Sequence, residues 1–276
     1  MFPTSLTNVV SAAVESFRPV SFRGKVRLLN RLIPEAGVKR AKVFGYSIDL
    51  DLASFVERMI YLGCYEPTNS LRFRQILKPG MTVVDVGANI GYYSLLACSL
   101  VGPKGKVISV EPHPVNFATL SENLKSNDLL SIATPVAYAL GDEPGQGSIR
   151  FPKFQGLNNR TATMIGEDKI DGIAVQVKTI DECVKEWGIS TIDLLKIDVD
   201  GFETKILNGA KETLKRGVVK NVIIEFNDYW LRATGSSPEL MTAFFKSFGF
   251  RDVSDLTRLS SLVLGPTKDR RFTLEK

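Results

Sequence analysis

Val83-Val84-Asp85-Val86-Gly87-Ala88-Asn89-Ile90-Gly91-Tyr92-Tyr93-Ser94 is the stretch on which the reading of this 276-residue chain turns. An apolar strand, Thr82–Val86, runs straight into a glycine-rich turn, and a helix over about 91–100 follows. Gly87 would let a ligand approach the backbone closely, and Gly91 would permit tight packing where the helix opens. The spacing is G-x-x-x-G. It is neither the G-x-G-x-x-G of dinucleotide enzymes nor a phosphate loop closed by Gly-Lys-Ser/Thr.

Strands and helices alternate outward from this turn. Gly102-Pro103-Lys104-Gly105 is a turn, and Val107–Val110 is the second strand, ending at Glu111. Pro114 opens a helix with Phe117, Leu120 and Leu124 as its buried stripe. A third strand is expected over Ala133–Leu140 and a further core strand over Ile192–Val199. A helix carrying Ile206, Leu207, Ala210 and Leu214 comes next, then a strand over Val222–Phe226. Ser237-Pro238-Glu239 starts a helix with Leu240, Phe244 and Phe248 on one stripe, Gly249 stops it, and Ser260–Leu264 reads as a last strand. This order predicts an α/β fold with a doubly wound, mostly parallel sheet. Short alternating segments near 146–180, among them Ser148–Phe151 and Ile173–Val177, read as a strand-rich insertion.

The N-terminal 70 residues form a separate piece, an arm and hairpin preceding a main domain over 71–276. Leu6, Val9, Val10, Ala13, Val14 and Phe17 share one helical face, and Val26, Leu29, Leu32 and Ile33 repeat the pattern. Tyr46, Ile48, Leu50 and Leu52 alternate with polar residues, as in a half-buried strand whose hairpin turns near Gly45, and 53–62 reads as helical. The charge is +5 overall, but residues 1–45 hold eight Lys/Arg against two Asp/Glu. The basic excess thus belongs to the arm, which either packs on the core or docks on a membrane surface or partner.

Composition excludes several classes. Three scattered cysteines with no C-x-x-C pair argue against a zinc ribbon and suit a reducing compartment, here expected to be cytoplasmic. One histidine, His113, excludes multi-histidine metal sites and H-E-x-x-H proteases. No apolar run is long enough to span a membrane, and Glu15, Arg18 and Arg23 interrupt any signal-peptide core.

Carboxylates gather where the strands end, and in open α/β sheets that edge is the ligand crevice. Asp85, beside the glycine turn, suits a ligand with a cationic amino group and would repel a pyrophosphate; S-adenosylmethionine carries both an ammonium and a sulfonium. Glu111, twenty-four residues after Gly87, ends strand two, where a carboxylate accepts both ribose hydroxyls of an adenosine. Asp142, after Gly141, is placed to meet an adenine edge, with a simple turn as an equal competitor. In Asp193-Leu194-Leu195-Lys196-Ile197-Asp198-Val199-Asp200-Gly201-Phe202-Glu203, Lys196, Asp198 and Asp200 point the same way if the strand stays regular. A Lys196–Asp salt bridge with Asp200 capping the next helix is the structural alternative. Glu225 ends the following strand and lines the same crevice.

The run Leu77–Met81 leading into Asp85–Gly91, then Val110-Glu111-Pro112, Ala139-Leu140-Gly141-Asp142, Leu195–Gly201 and Ile224-Glu225, resembles the FkbM family of S-adenosylmethionine-dependent methyltransferases. Upstream, Tyr61–Pro67 is similar to that family's lead-in, and the resemblance covers about 60–230. Val199-Asp200-Gly201 stands where the family commonly has Val/Ile-Glu-Gly. The resemblance implies the seven-stranded class I methyltransferase fold and O-methylation, often of sugar hydroxyls or natural products. It also adds Asn89 and Pro112 to the cofactor set of Asp85, Gly87, Gly91, Glu111 and Asp142.

In that reading an acceptor oxygen attacks the donor methyl in line. Asp198 is the first candidate for general base, Glu225 the second, and Lys196 holds Asp198 or steadies an oxyanion. A variant places Mg²⁺ on Asp198, Asp200 or Glu225. His113 follows Glu111 too closely to reach the methyl and is read as a loop residue. The competing functions are a nucleic-acid methyltransferase using the basic arm and a non-catalytic binding protein of the same fold. The near-neutral body argues against nucleic acid as partner. The acceptor and the oligomeric state are not specified by the sequence.

Overall fold

The computed structural model describes residues 37–150, 163–164, 172–199, 201–233, 235–254 and 269–275, with 28, 31 and 33. The helical stretch expected over 5–17 lies outside these residues, as do most of 25–33 and the strand expected at Ser260–Leu264.

The chain divides into two compact units, one reaching Pro67 and one starting at Thr68. In the first, β1 (Val38–Val43) and β2 (Tyr46–Asp51) form an antiparallel hairpin. Phe44 and Gly45 both take positive φ (55° and 91°), the two-residue turn whose twist matches its strands. Ile48, Leu50 and Leu52 are buried as their alternation requires. Then α1 (Phe55–Tyr61) starts at Ser54, whose hydroxyl accepts the Glu57 N–H.

After α2 (Pro67–Ile76), the second unit runs through β3 (Thr82–Val86), α3 (Tyr92–Val101), β4 (Lys106–Val110), α4 (Pro114–Lys125) and β5 (Ala133–Val136). Next come β6 (Ala139–Leu140), β7 (Gly145–Arg150), β8 (Thr163–Met164), β9 (Ile173–Lys178) and α5 (Ile180–Glu186). The remainder is β10 (Leu194–Ile197), α6 (Glu203–Asn208), α7 (Lys211–Lys215), β11 (Asn221–Glu225), α8 (Asp228–Ala233), α9 (Pro238–Ser247), β12 (Phe250–Asp252) and β13 (Asp269–Leu274). The main sheet has seven strands in the order β12-β13-β11-β10-β3-β4-β5, and only β13 runs antiparallel to its neighbours. This is the class I methyltransferase architecture that the motifs implied. A second sheet, β6-β9-β7-β8, forms from 139–178.

Strand periodicity splits the chemistry between the two faces of the sheet. On one face Val84, Val86, Ile108, Val110, Leu195, Ile197, Val222 and Ile224 pack with residues of α5, α6 and α9. Burying such aliphatic side chains contributes about 1.5–3 kcal/mol each before entropy is charged against it. On the other face the intervening residues are Asp85, Ser109 and Lys196, all buried.

Four expectations change. The strand read as Ala133–Leu140 is two strands: β5 stops at Val136, opposite the last residue of β4, and β6 leaves to pair with β9. The core strand is β10, shorter than 192–199, with Ile192 making only an isolated bridge to Val219. The helix through Ile206 and Leu214 is broken at Gly209, where a Cβ would lie 2.0 Å from the Gly141 carbonyl oxygen. Asp181 accepts the N–H groups of Glu212 (3.1 Å) and Thr213 (2.7 Å) and so starts α7 anew. In α9 the buried stripe is Met241 and Phe245, one position on from the expected Leu240 and Phe244. Phe272 of β13, unforeseen in the sequence, stacks on Phe245 at 4.1 Å and selects that face, leaving Leu240 exposed.

Candidate active site

Ladder register builds the site. Ser109, Asp85, Lys196 and Ile223 are direct partners across β4, β3, β10 and β11, and Arg271 of β13 completes the row. The pairs Val86–Val110, Val86–Ile197 and Ile197–Ile224 form the next row. One residue further on stand Glu111, Gly87, Asp198 and Glu225, and Glu225 pairs with Asp269. Side chains two positions apart share a face, so this last row lies above the Asp85 row at the carboxyl edge. Backbone bonds carry the ladder that far: Gly87 and Ala88 N–H both donate to Val110 O (3.0 Å each), and Asp198 N–H donates to Val86 O (3.2 Å).

The lower row is a closed polar network. The Ser94 hydroxyl, from the first turn of α3, donates to Asp85 Oδ2 at 2.8 Å and lies 2.7 Å from the Ser109 hydroxyl. Asp85 is fully buried, and its Oδ1 has no hydrogen-bond partner, with Lys196 Nζ 3.7 Å away. Burial pushes the Asp85 carboxyl above the usual range, and the Lys196 charge opposes this. Lys196 is itself 2% exposed; its Nζ donates to Asp198 Oδ2 at 3.1 Å and stands 4.7 Å from the centre of the Tyr93 ring. Asp198, in the row above, keeps 28% of its side chain exposed. The predicted Lys196–Asp198 pairing is therefore present. Asp200 lies outside the described residues, and the next helix starts on Phe202.

The glycine turn is shaped by Asp198. A Cβ on Gly87 would lie 1.9 Å from the Asp198 carbonyl oxygen, and Gly87 has φ +76°. Its glycine is thus required by the neighbouring strand end, where ligand approach was expected to be the reason. Gly91, at φ +96°, leaves a Cβ only 2.8 Å from Leu120 of α4, which is the tight packing anticipated. Asn89, also at positive φ (51°), turns its N–H to Glu111 Oε2 at 2.8 Å. Glu111 Oε1 accepts from the His113 N–H at 2.9 Å. Glu111 is 5% exposed, and burial pushes its carboxyl up to about 7 against these hydrogen bonds. Pro112 is half-buried beside it, and His113 caps α4, its Nδ1 accepting the Asn116 N–H at 3.4 Å. Asp142 is exposed in the bend after β6.

Two features escaped the sequence reading. Glu203 is buried and bonded to the turn after Asp198. At the far end of the upper row, Asn69 of α2 donates to the Asp269 carboxylate, while Arg72 donates to the Asp269 carbonyl at 2.9 Å. Nothing in the local sequence hinted at this, because the partner of Asn69 and Arg72 lies about 200 residues away. Among the described residues no three of His, Cys, Asp and Glu come together as a metal site. The Mg²⁺ variant finds no support there. No described helix is long and apolar enough to cross a membrane.

The model of the methyltransferase FkbM domain matches residues 85–251 of this chain. Methyltransferase sdnD of Sordaria araneosa is 29% identical over 241 residues, covering 77% of this chain and 86% of its own length. The 2-O-methyltransferase NoeI of Sinorhizobium fredii is 28% identical over 189 residues, covering 60% and 73%. The 31-O-demethyl-FK506 methyltransferase FkbM of Streptomyces tacrolimicus is 29% identical over 231 residues, covering 74% and 84%.

Proposed function

The chain belongs to the FkbM family of S-adenosylmethionine-dependent methyltransferases, and from that premise we propose that it methylates a hydroxyl oxygen of a sugar, glycan or small natural product. The observation that carries the reading is the upper row of the sheet edge, where Glu111, Asp198 and Glu225 share a face above the Asp85–Lys196 pair. Two relatives whose names specify O-methylation support the choice of oxygen.

The residues fit the methyl donor chemically. Glu111, fixed by the Asn89 and His113 N–H groups, keeps further lone pairs to accept the ribose hydroxyls. Asp85, beneath the glycine turn, is read as the partner of the amino group, a role in which its Oδ1 is shared with Lys196 Nζ at 3.7 Å. Asn89, Gly91 and Pro112 shape the turns between these acids. Bound there, the donor supplies an already activated methyl, so the protein's task is positioning. An acceptor alcohol is about as weak an acid as water (pKa about 15.7). Asp198, partly exposed at the edge, takes its proton as the new bond forms, and Lys196 fixes the orientation of that carboxylate. Glu225, next in the row, accepts a hydrogen bond from a neighbouring acceptor hydroxyl.

Incubation with donor labelled with ¹³C in the methyl group and a panel of methyl glycosides and polyketide alcohols tests the reading by NMR. New O-methyl carbon signals are the expected result; methyl carbon bound only to nitrogen, or none, would contradict it.

A further inference from the structure

The turn that leads Asp198 out of the sheet is held from the inside by one acid. Glu203, the first residue of α6, is 2% exposed. Its Oε1 accepts the N–H of Val199 at 3.3 Å and of Gly201 at 3.2 Å, and its Oε2 accepts Gly201 N–H at 3.0 Å. Gly201 has φ +103°, a conformation that favours glycine, so the turn has little intrinsic preference holding it closed. A buried carboxylate that reaches back two and four residues to backbone donors costs desolvation, which only those bonds offset. Burial raises the proton affinity of Glu203, the Val199 and Gly201 N–H groups lower it, and the Asp198 charge raises it. Asp198 and Glu203 therefore feel one another as like charges across the turn.

We infer that Glu203 is a positioning residue for the reaction: its carboxylate ties down the Val199 and Gly201 N–H groups and so sets where the Asp198 carboxylate points. This rests on Asp198 being the base. Two separate grips fix that residue, Lys196 on the carboxylate and Glu203 on the backbone immediately after it. A displacement of about 1 Å in a reacting group costs on the order of 100-fold in rate. Losing the second grip should lower kcat by about that factor and leave the donor's own contacts at Glu111 intact.

The test compares wild type with Glu203→Gln and Glu203→Asp. Gln turns an NH₂ group toward one of the two backbone donors; Asp keeps the charge but falls one methylene short. Two readouts need no acceptor: amide exchange at Val199 and Gly201, and S-adenosylhomocysteine affinity.

In Glu203→Gln, exchange at Gly201, held by both carboxylate oxygens in the wild type, should rise at least tenfold, and S-adenosylhomocysteine affinity should hold within about threefold. In Glu203→Asp, exchange should rise at both amides. With a glycoside acceptor turned over by the wild type, kcat should fall in both variants while KM is kept. Unchanged amide exchange in Glu203→Gln, or an unchanged kcat in both variants, would overturn the inference. Failure of the wild type to bind S-adenosylhomocysteine would instead remove the functional reading, with the backbone grip still measurable by exchange.

Discussion

The Lys196 ammonium stands 3.1 Å from Asp198 Oδ2, joining a fully interior cation to a carboxylate at the open edge of the sheet. Both sit on β10 or directly after it, two residues apart, so one strand presents its buried cation and its candidate base on the same face. Behind the pair lies Asp85, 3.7 Å from the same nitrogen. One lysine thus bridges Asp85 and Asp198, the residues proposed for the donor side and the acceptor side.

Replacing that lysine should be costly for the fold. Lys196→Met leaves Asp85 buried without a counter-charge, and removing one partner of a buried pair typically costs about 3–5 kcal/mol. Urea denaturation should show that loss, and adding Asp85→Asn in the same chain should recover much of it. A single variant within about 1 kcal/mol of wild type would mean that the pair does not hold the sheet centre.

Asp198→Asn keeps the shape of the edge and removes the base. The rate of methyl transfer should fall by about 10²–10⁴-fold with S-adenosylhomocysteine affinity little changed. Glu225→Gln should raise KM more than it lowers kcat, since that side chain is assigned to the acceptor. Treatment with EDTA should leave wild-type turnover as it was; loss restored by Mg²⁺ would replace the base with a metal.

Glycine at position 87 should be irreplaceable. Gly87→Ala combines a positive φ, worth about 1–2 kcal/mol against an L side chain, with a Cβ 1.9 Å from the Asp198 carbonyl oxygen. Thermal unfolding should come several degrees earlier, and S-adenosylhomocysteine binding should weaken. An alanine variant as stable as wild type would show that the two strand ends are not locked together.

Donor binding should depend on pH through Glu111. Its carboxyl is raised by burial to about 7, so it gains its proton as the pH falls through neutrality. Ribose hydroxyls are best accepted by the ionised form. Affinity for S-adenosylhomocysteine should therefore be full above the pKa and fall about tenfold from about pH 8 to about pH 6. The same titration with Glu111→Gln, whose side chain does not ionise, should be flat over that range.

Much of this architecture was legible in the chain. Thr82–Val86 and the turn after it appear as read, because an apolar run, two glycines and a helix start are local signals. Glu111 and Asp198 stand just past the ends of their strands as read, because an apolar run broken by an acid is a local signal. What escaped were relations set by tertiary contact. The need for Gly87 comes from a carbonyl 111 residues away, and the buried stripe of α9 is chosen by Phe272. Glu203 was quoted among the acids of its segment, but its burial and its backbone partners depend on how the turn folds back. Asp269 was invisible because its place in the upper row comes from antiparallel pairing with Glu225, which no local periodicity reveals.

The most direct test of the account is calorimetric titration of S-adenosylhomocysteine into the wild-type protein and into Glu111→Ala. The account predicts micromolar affinity, about −8 kcal/mol, for wild type, collapsing in the variant. Absence of heat and of any thermal shift in the wild type, or equal affinity in the two proteins, would contradict a donor site anchored on Glu111 at the carboxyl edge of the sheet.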